Sequence, residues 1–220
     1  PWLNKVPAVM EGYLAGQAGA SAQADILLGR ANPSGKIGET FPIKLEDNPS
    51  YPYYPGGPAI VEYRESIYVG YRYYDTAHVP VLFPFGHGLS YTTFEYRDLR
   101  AQAQKDSAKI IFKIKNAGNR TGKEAAQVYV RDVESSHFRP VKELKGFVKV
   151  HLNPNEEKEV TIELDRRDFS FYDVGKKEWV LEAGDFEIMV GASSQDIRLT
   201  TTLWLDSDQQ ASVCTDKAAL

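Results

Sequence analysis

Cysteine is nearly absent from this 220-residue sequence: Cys214, close to the C-terminus, is the only one. A single thiol forms no internal disulfide. The redox compartment is left open, with a lean toward a reducing one, the cytoplasm, over secretion. Long apolar runs are missing too. None approaches the ~20 residues that a membrane helix needs, so no membrane span is expected. Positive charge is not in excess: 26 Lys and Arg face 30 Asp and Glu, for a formal charge of −4. No basic field points to nucleic acid or anionic lipid. The histidines, His78, His87, His137 and His151, are scattered, and no two stand at ligand spacing, so no metal is expected. There is no Gly-x-Ser-x-Gly elbow and no phosphate loop, and Gly86-x-Gly88 is too short for a nucleotide fingerprint. No cofactor is implied. The chain opens Pro1-Trp2-Leu3-Asn4-Lys5, with no initiator Met or signal-peptide pattern, and is expected to be cut from a longer protein.

What is present is ordinary in bulk and uneven in order. Apolar residues make up 42% and charged residues 25%, as in a globular protein. Residues 1–95 read as part of an α/β unit. Pro7 to Leu28 is helical by pattern, with Val6, Val9, Met10, Tyr13 and Leu14 on one stripe and a break at Gly16 to Gly19. A second helix from about Ala20 to Leu28 ends at Gly29. Asn32-Pro33-Ser34-Gly35 reads as a turn, and Lys36 to Phe41 as a short strand. Pro42 to Pro58 holds five prolines and reads as an extended loop. Val61 to Tyr74, rich in β-branched and aromatic residues, reads as one or two strands. Phe83 to Tyr91 is a glycine-punctuated turn. Two helices and two or three strands leave apolar stripes uncovered, so this portion needs further chain to pack against.

From Thr92 the pattern changes to period two. Ile110, Phe112 and Ile114 alternate with their neighbours, as do Ala126, Val128 and Val130. Leu144, Phe147 and Val150 follow, then Val160, Ile162 and Leu164, Trp179 with Leu181, and Phe186, Ile188 and Val190. Turn residues separate the runs at 116–119, 153–155, Gly175 and Gly184-Asp185. About seven strands at this spacing indicate a β-sandwich over 96–206. The run lacks cysteine, so a fibronectin type III-like sandwich fits better than a disulfide-pinned antibody type. Asp206 to Leu220 lacks apolar periodicity and is expected to be a frayed tail, 207–220 in the domain division.

Chemistry-bearing residues are few. Ten of 13 tyrosines fall between Tyr51 and Tyr96. Such a cluster suits a sugar platform, and equally a domain interface or the core of an ordered loop. Candidate carboxylates of the first part include Glu11, Asp25, Glu39, Glu62, Glu65 and Asp75. Glu62 and Glu65 stand three apart and would face opposite sides of a strand, so they do not converge; pairing with Arg64 and Arg72 is the plain reading. His87 reads as a hydrogen-bonding turn residue. Ser135-Ser136-His137-Phe138-Arg139-Pro140 is a loop that could bind or pack. Lys142 to Phe147 reads as a strand with a solvated charged face.

In order and spacing, several motifs resemble the C-terminal part of family 3 glycoside hydrolases, the β-glucosidase and β-xylosidase group. They are Pro7-Ala8-Val9, Gly16-Gln17-Ala18-Gly19, Ala24-Asp25-Ile26-Leu27-Leu28-Gly29 and Asn32-Pro33-Ser34-Gly35-Lys36-Ile37 with Thr40-Phe41-Pro42. Tyr63 to Asp75, centred on Val69-Gly70-Tyr71-Arg72-Tyr73-Tyr74, and Phe83 to Tyr91 complete the set. Ser66, where the family usually has glycine, and Ala18, where an acidic residue is common, are the departures. The resemblance covers roughly residues 1–205. It implies the end of an α/β sandwich domain followed by a fibronectin type III-like domain. It also implies an N-terminal barrel and the earlier α/β portion as partners, and a β-glucoside or oligosaccharide substrate for the whole enzyme. The retaining reaction needs two carboxyl groups about 5–5.5 Å apart. The resemblance puts the nucleophile, an aspartate, on the barrel and the acid/base, a glutamate, earlier in the α/β domain. Neither motif occurs here, so no catalytic residue is assigned to this chain. The alternative is a carbohydrate-binding or interaction module without catalysis.

Overall fold

A computed structural model describes residues 3–213. In chain order the elements are α1 (Gly19–Leu27), β1 (Phe41–Pro42), α2 (Tyr71–Thr76), β2 (Val81–Phe83), β3 (Phe94–Gln104), β4 (Ser107–Asn116), β5 (Gly122–Asp132), β6 (Glu143–Leu152), β7 (Glu157–Leu164), α3 (Arg166–Phe169), β8 (Phe171–Asp173), β9 (Glu178–Val180), β10 (Gly184–Gly191) and β11 (Ile197–Leu205).

The second part is a two-sheet sandwich. One sheet has the order β11-β10-β5-β6 and the other β3-β4-β7, all antiparallel. Seven strands therefore form the sandwich, and β8 and β9 make a separate hairpin. Strict alternation drives this. Every second residue of β4 from Ala108 to Asn116 is buried, and Ile110, Phe112 and Ile114 lose all contact with water. They meet Ala126, Val128 and Val130 of β5 and Phe186, Ile188 and Val190 of β10 in one core. The outer face of the three-stranded sheet is charged. Arg97 faces Glu157, Arg100 faces Glu159, and Lys109 faces Glu163 across it. Such exposed pairs keep the face soluble and contribute little stability. In α3, Asp165 caps the helix by accepting from the Arg167 and Asp168 amides, and Phe169 plugs the core.

Phe147 departs from the expected core set. Its neighbours Val148 and Val150 turn inward, and a bulge opposite Val128/Tyr129 shifts the register, so Phe147 faces water. Spacing of three cannot keep residues on one side of a pleat. The tail is also tied further than expected. Ser212 donates from both N and Oγ to Asp173, at 2.6 and 2.7 Å. The Gln209 side chain accepts from Leu181 N at 2.9 Å. Cys214 and the rest of the expected tail lie outside the described residues.

The first part departs more. Residues 7–14 form no helix. Val6, Val9, Met10, Tyr13 and Leu14 are all exposed, and the described residues offer them no surface to pack on. A helix this short is marginal in water without a buried face. α1 forms near its expected span and ends at Gly29, whose φ of +70° suits a left-handed stop. The expected strand at 36–41 contracts to β1, which pairs with β2. Asn32 to Gly35 is not a tight turn: the Asn32 side chain reaches Ser90, Tyr91 and Thr121. Val61 to Tyr74 is not strand. It runs as loop and turn to Gly70, where Tyr73 N and Tyr74 N bond the Gly70 carbonyl and open α2. Burial of Tyr71 and Asp75 against the sandwich, with Tyr74 also buried, overrides the β propensity of the aromatics.

Candidate functional site

The conspicuous polar site is the seam where α2 and the 83–91 turn meet the outer face of the four-stranded sheet. Alternation along β5 puts Gln127 and Tyr129 on that outer face, yet both are buried. Tyr71 covers them. Its ring stacks on Phe85 at 4.7 Å between centroids and meets Tyr129 edge-on at 5.9 Å. The Tyr71 hydroxyl accepts from Leu144 N at 2.7 Å. Tyr129 OH donates to Gln127 Oε1 at 2.6 Å. Gln127 Nε2 donates to the carbonyls of Gly86 at 3.1 Å and Ala192 at 2.9 Å. Gly86 has φ +78°, and a Cβ there would lie 2.1 Å from Gln127 Oε1. Only glycine permits this approach.

Charged groups close the seam on the α2 side. Asp75 is buried; Lys142 Nζ lies 2.9 Å from its Oδ2, poorly aligned for a hydrogen bond and so an ionic contact. Gln195 Nε2 donates to Asp75 Oδ1 at 2.9 Å. Thr76 Oγ1 accepts from Val141 N. Arg139 bridges Asp132 at 3.0 Å and Glu143 at 3.3 Å, with Arg72 and Lys145 each 3.5 Å from Glu143. Burial pushes the Glu143 carboxyl up, but Lys145, Arg139 and Arg72 outweigh it and hold it below its ordinary range. Burial pushes Lys145 down, with Glu143 only partly offsetting it. Asp132 is raised, because burial exceeds the pull of Arg139. Burial, with the nearby Glu143 charge, lifts Tyr68 to about 12. A second link lies at the far end of the seam. Lys36 Nζ donates to the Gly88 carbonyl and sits 3.5 Å from Glu124, which accepts from Tyr96 OH at 2.8 Å.

The candidate residues of the first part do not gather. Glu11 accepts from Tyr13 N, Asp25 faces Arg30, Glu62 is bound by Arg64, and Asp75 is spoken for in the seam. Glu39 is exposed, and Glu65 sits in a turn rather than a strand, with its carbonyl accepting from Tyr68 N. His87 lies flat on Phe83 at 5.4 Å, its ring pushed down by burial and by Lys36. His137 packs on Phe171, and His78 and His151 stand elsewhere. Among the described residues no three His, Cys, Asp or Glu side chains form a metal-binding group. No helix of the described residues is long and apolar enough to cross a membrane. The 135–140 loop lies against the sandwich: Phe138, still partly exposed, touches Tyr68 at 5.3 Å, and Arg139 is half-buried with its side chain largely covered.

The tyrosine cluster divides in two. Tyr71 is buried in the seam and Tyr74 beside Tyr73, whereas Tyr51, Tyr53, Tyr54 and Tyr63 are exposed on the 51–64 loop. There Tyr53, Tyr54, Ile60, Glu62 and Arg64 line an open pocket of about 430 Å³.

The Glycosyl hydrolase family 3 C-terminal domain matches residues 1–91, and the Fibronectin type III-like domain matches residues 124–194. The chain belongs to glycosyl hydrolase family 3. It corresponds to the C-terminal region of that family's enzymes. It is 53% identical to thermostable β-glucosidase B of Acetivibrio thermocellus over 94% of this chain and 28% of the relative. It is 46% identical to a β-glucosidase of Bacteroides ovatus, over 92% of this chain and 28% of that protein. The β-glucosidase of Kluyveromyces marxianus solved with glucose superposes with a TM-score of 0.90 at 40% identity, over 94% of this chain and 25% of that one. The chain thus spans just over a quarter of the length of the curated relatives it matches. Gln127, Tyr129, Lys142 and Gln195, which complete the seam of this family 3 region, were not legible as site residues. The one available signal is that Gln127 and Tyr129 are bulky at outward positions of a strand otherwise tightly alternating.

Proposed function

We propose that this chain is the C-terminal part of a retaining β-glucosidase-type hydrolase that removes terminal β-linked sugars. Residues 1–95 would complete its α/β domain, and 96–206 would form a sandwich that braces the wall of the cleft. The carrying observation is the match along nearly the whole chain to β-glucosidases at up to 53% identity. Physical support comes from two sides. The apolar residues of the first part, among them Val9, Leu14, Leu27, Leu28 and Leu45, remain exposed and suit cover by the barrel and the earlier α/β portion. The candidate carboxylates of the first part do not converge on one another, with Glu11, Asp25, Glu62 and Asp75 each held by a different partner, so the nucleophile and acid/base are expected from that other portion.

On this reading the chain contributes position, not protons. The seam fixes α2 and the 83–91 turn on the rigid sandwich through aromatic stacking, the Gln127 and Tyr71 hydrogen bonds and the Asp75–Lys142 ion pair, which resist rocking of the α/β end. Rigid support of reacting groups matters because small displacements cost rate steeply. The test is turnover of 4-nitrophenyl β-D-glucoside by the 220-residue chain alone. No hydrolysis above background is expected. Steady turnover abolished by Glu62→Gln or Asp75→Asn would overturn the reading.

A further inference from the structure

The exposed pocket of the 51–64 loop belongs neither to the seam nor to the core. Its chemistry is specific in kind. Tyr53 and Tyr54 supply aromatic faces, and Ile60 an apolar edge. Arg64 lies over the Tyr53 ring at 4.6 Å from its centroid. Arg64 Nε donates to Glu62 Oε2 at 2.7 Å and Nη2 donates to the same oxygen. Glu62 Oε1 accepts no hydrogen bond from the described residues. With Nε and one Nη2 hydrogen spent on Glu62, the rim offers the other Glu62 oxygen beside the remaining Arg64 N–H donors, at zero net charge.

That combination selects a ligand class. An anion would meet the Glu62 carboxylate, and a cation the Arg64 guanidinium. A wholly apolar guest would strip water from the ion pair without replacing its hydrogen bonds. A neutral ring with apolar C–H faces and hydroxyls around its edge satisfies both parts. Its face lies on tyrosine, and neighbouring hydroxyls donate to Glu62 and accept from Arg64 as charge-assisted hydrogen bonds. The volume falls in the range of about 300–1,000 Å³ usual for small-molecule sites. We propose that this pocket, lined by Tyr53, Tyr54, Glu62 and Arg64, binds a neutral pyranose ring of an oligosaccharide. The pocket itself does not depend on the proposed function; the choice of a β-linked glucose probe does.

The 220-residue chain, ¹⁵N-labelled, is titrated with cellotriose to tens of millimolar and its amide shifts followed. Saturable shifts confined to residues 52–64 are expected. Tyr54→Ala should weaken binding about five- to tenfold and Glu62→Gln about tenfold, each melting like wild type because both side chains are exposed. Absence of shifts overturns the inference. So do shifts elsewhere on the chain, or binding that neither variant weakens. The two readings fail separately. A longer polypeptide containing this chain that hydrolyses the aryl glucoside while its loop ignores cellotriose removes the pocket and keeps the hydrolase. Loop binding without hydrolysis by that polypeptide does the reverse.

Discussion

Removing the Tyr71 ring should undock the α/β end from the sandwich without unfolding the sandwich. Tyr71 is buried between Phe85 and Tyr129, and its hydroxyl is the acceptor for Leu144 N. Truncating a buried aromatic to alanine costs about 3–5 kcal/mol. A dry, unpartnered Leu144 amide would add about 1–3 kcal/mol. The second cost is not paid in full, because α2 has six residues and no core of its own. It can lift away and let water reach Leu144. Tyr71→Ala should therefore cost about 3–5 kcal/mol of docking free energy, raising the open population more than about a hundredfold. Three amides report it: Leu144 bonds Tyr71, Val141 bonds Thr76 and Ser194 bonds Phe85. Their hydrogen exchange should accelerate together, while Ile110, Phe112 and Ile114 at the centre of β4 keep theirs. Tyr71→Phe should speed only Leu144, by about tenfold. Unchanged exchange at all three amides, or equal acceleration in β4, would refute the seam as a separable layer.

Other outcomes follow from the same structure. Phe112→Ala, in the fully buried centre of the core, should cost about 3–5 kcal/mol in urea melts and lower Tm accordingly. Gly86→Ala should raise exchange at Ser194 as Tyr71→Ala does, because the new Cβ collides with the Gln127 amide and the φ of +78° is unfavourable for alanine. The hydrogen bonds from Ser212 and from the Lys176 amide hold the Asp173 carboxyl well below its ordinary range. The tail contact is thus present above an unfolded aspartate pKa of about 3.9 and lost as pH falls below it through the folded value. Relative to an unstructured amide at the same pH, the Ser212 amide should be protected at neutral pH, lose protection in strong acid, and be unprotected at every pH in Asp173→Ala; protection that does not change with pH in the native chain would contradict this.

The sandwich was legible because water and core impose period two on strands: β4 alternates throughout and β7 from Val160 to Leu164, and β5 and β10 keep Ala126, Val128 and Val130 and Phe186, Ile188 and Val190 inward although the seam also buries outward residues. β3 and β11 were not, since polar residues interrupt the apolar pattern of both, and the strand expected around Trp179 belongs to the separate hairpin instead. The first part was harder for one reason: its local patterns presuppose neighbours. The stripe at Val6 to Leu14 is written for a surface that the described residues do not provide, and it stays unwound. The aromatics at 71–74 read as strand alone and become helix because Tyr129 and Leu144 receive them. The seam escaped sequence reading for the same reason. Asp75 with Lys142, Asp75 with Gln195 and Gly86 with Gln127 are pairs brought together only by the fold, and no spacing announces them.

The most direct measurement joins residues 1–220 to the portion of Acetivibrio thermocellus β-glucosidase B that precedes its matching region and follows 4-nitrophenyl β-D-glucoside hydrolysis. Turnover by the chimera, lost in its Tyr71→Ala variant and absent from the 220-residue chain alone, is the predicted result. A soluble, cooperatively melting chimera with no turnover would contradict the account.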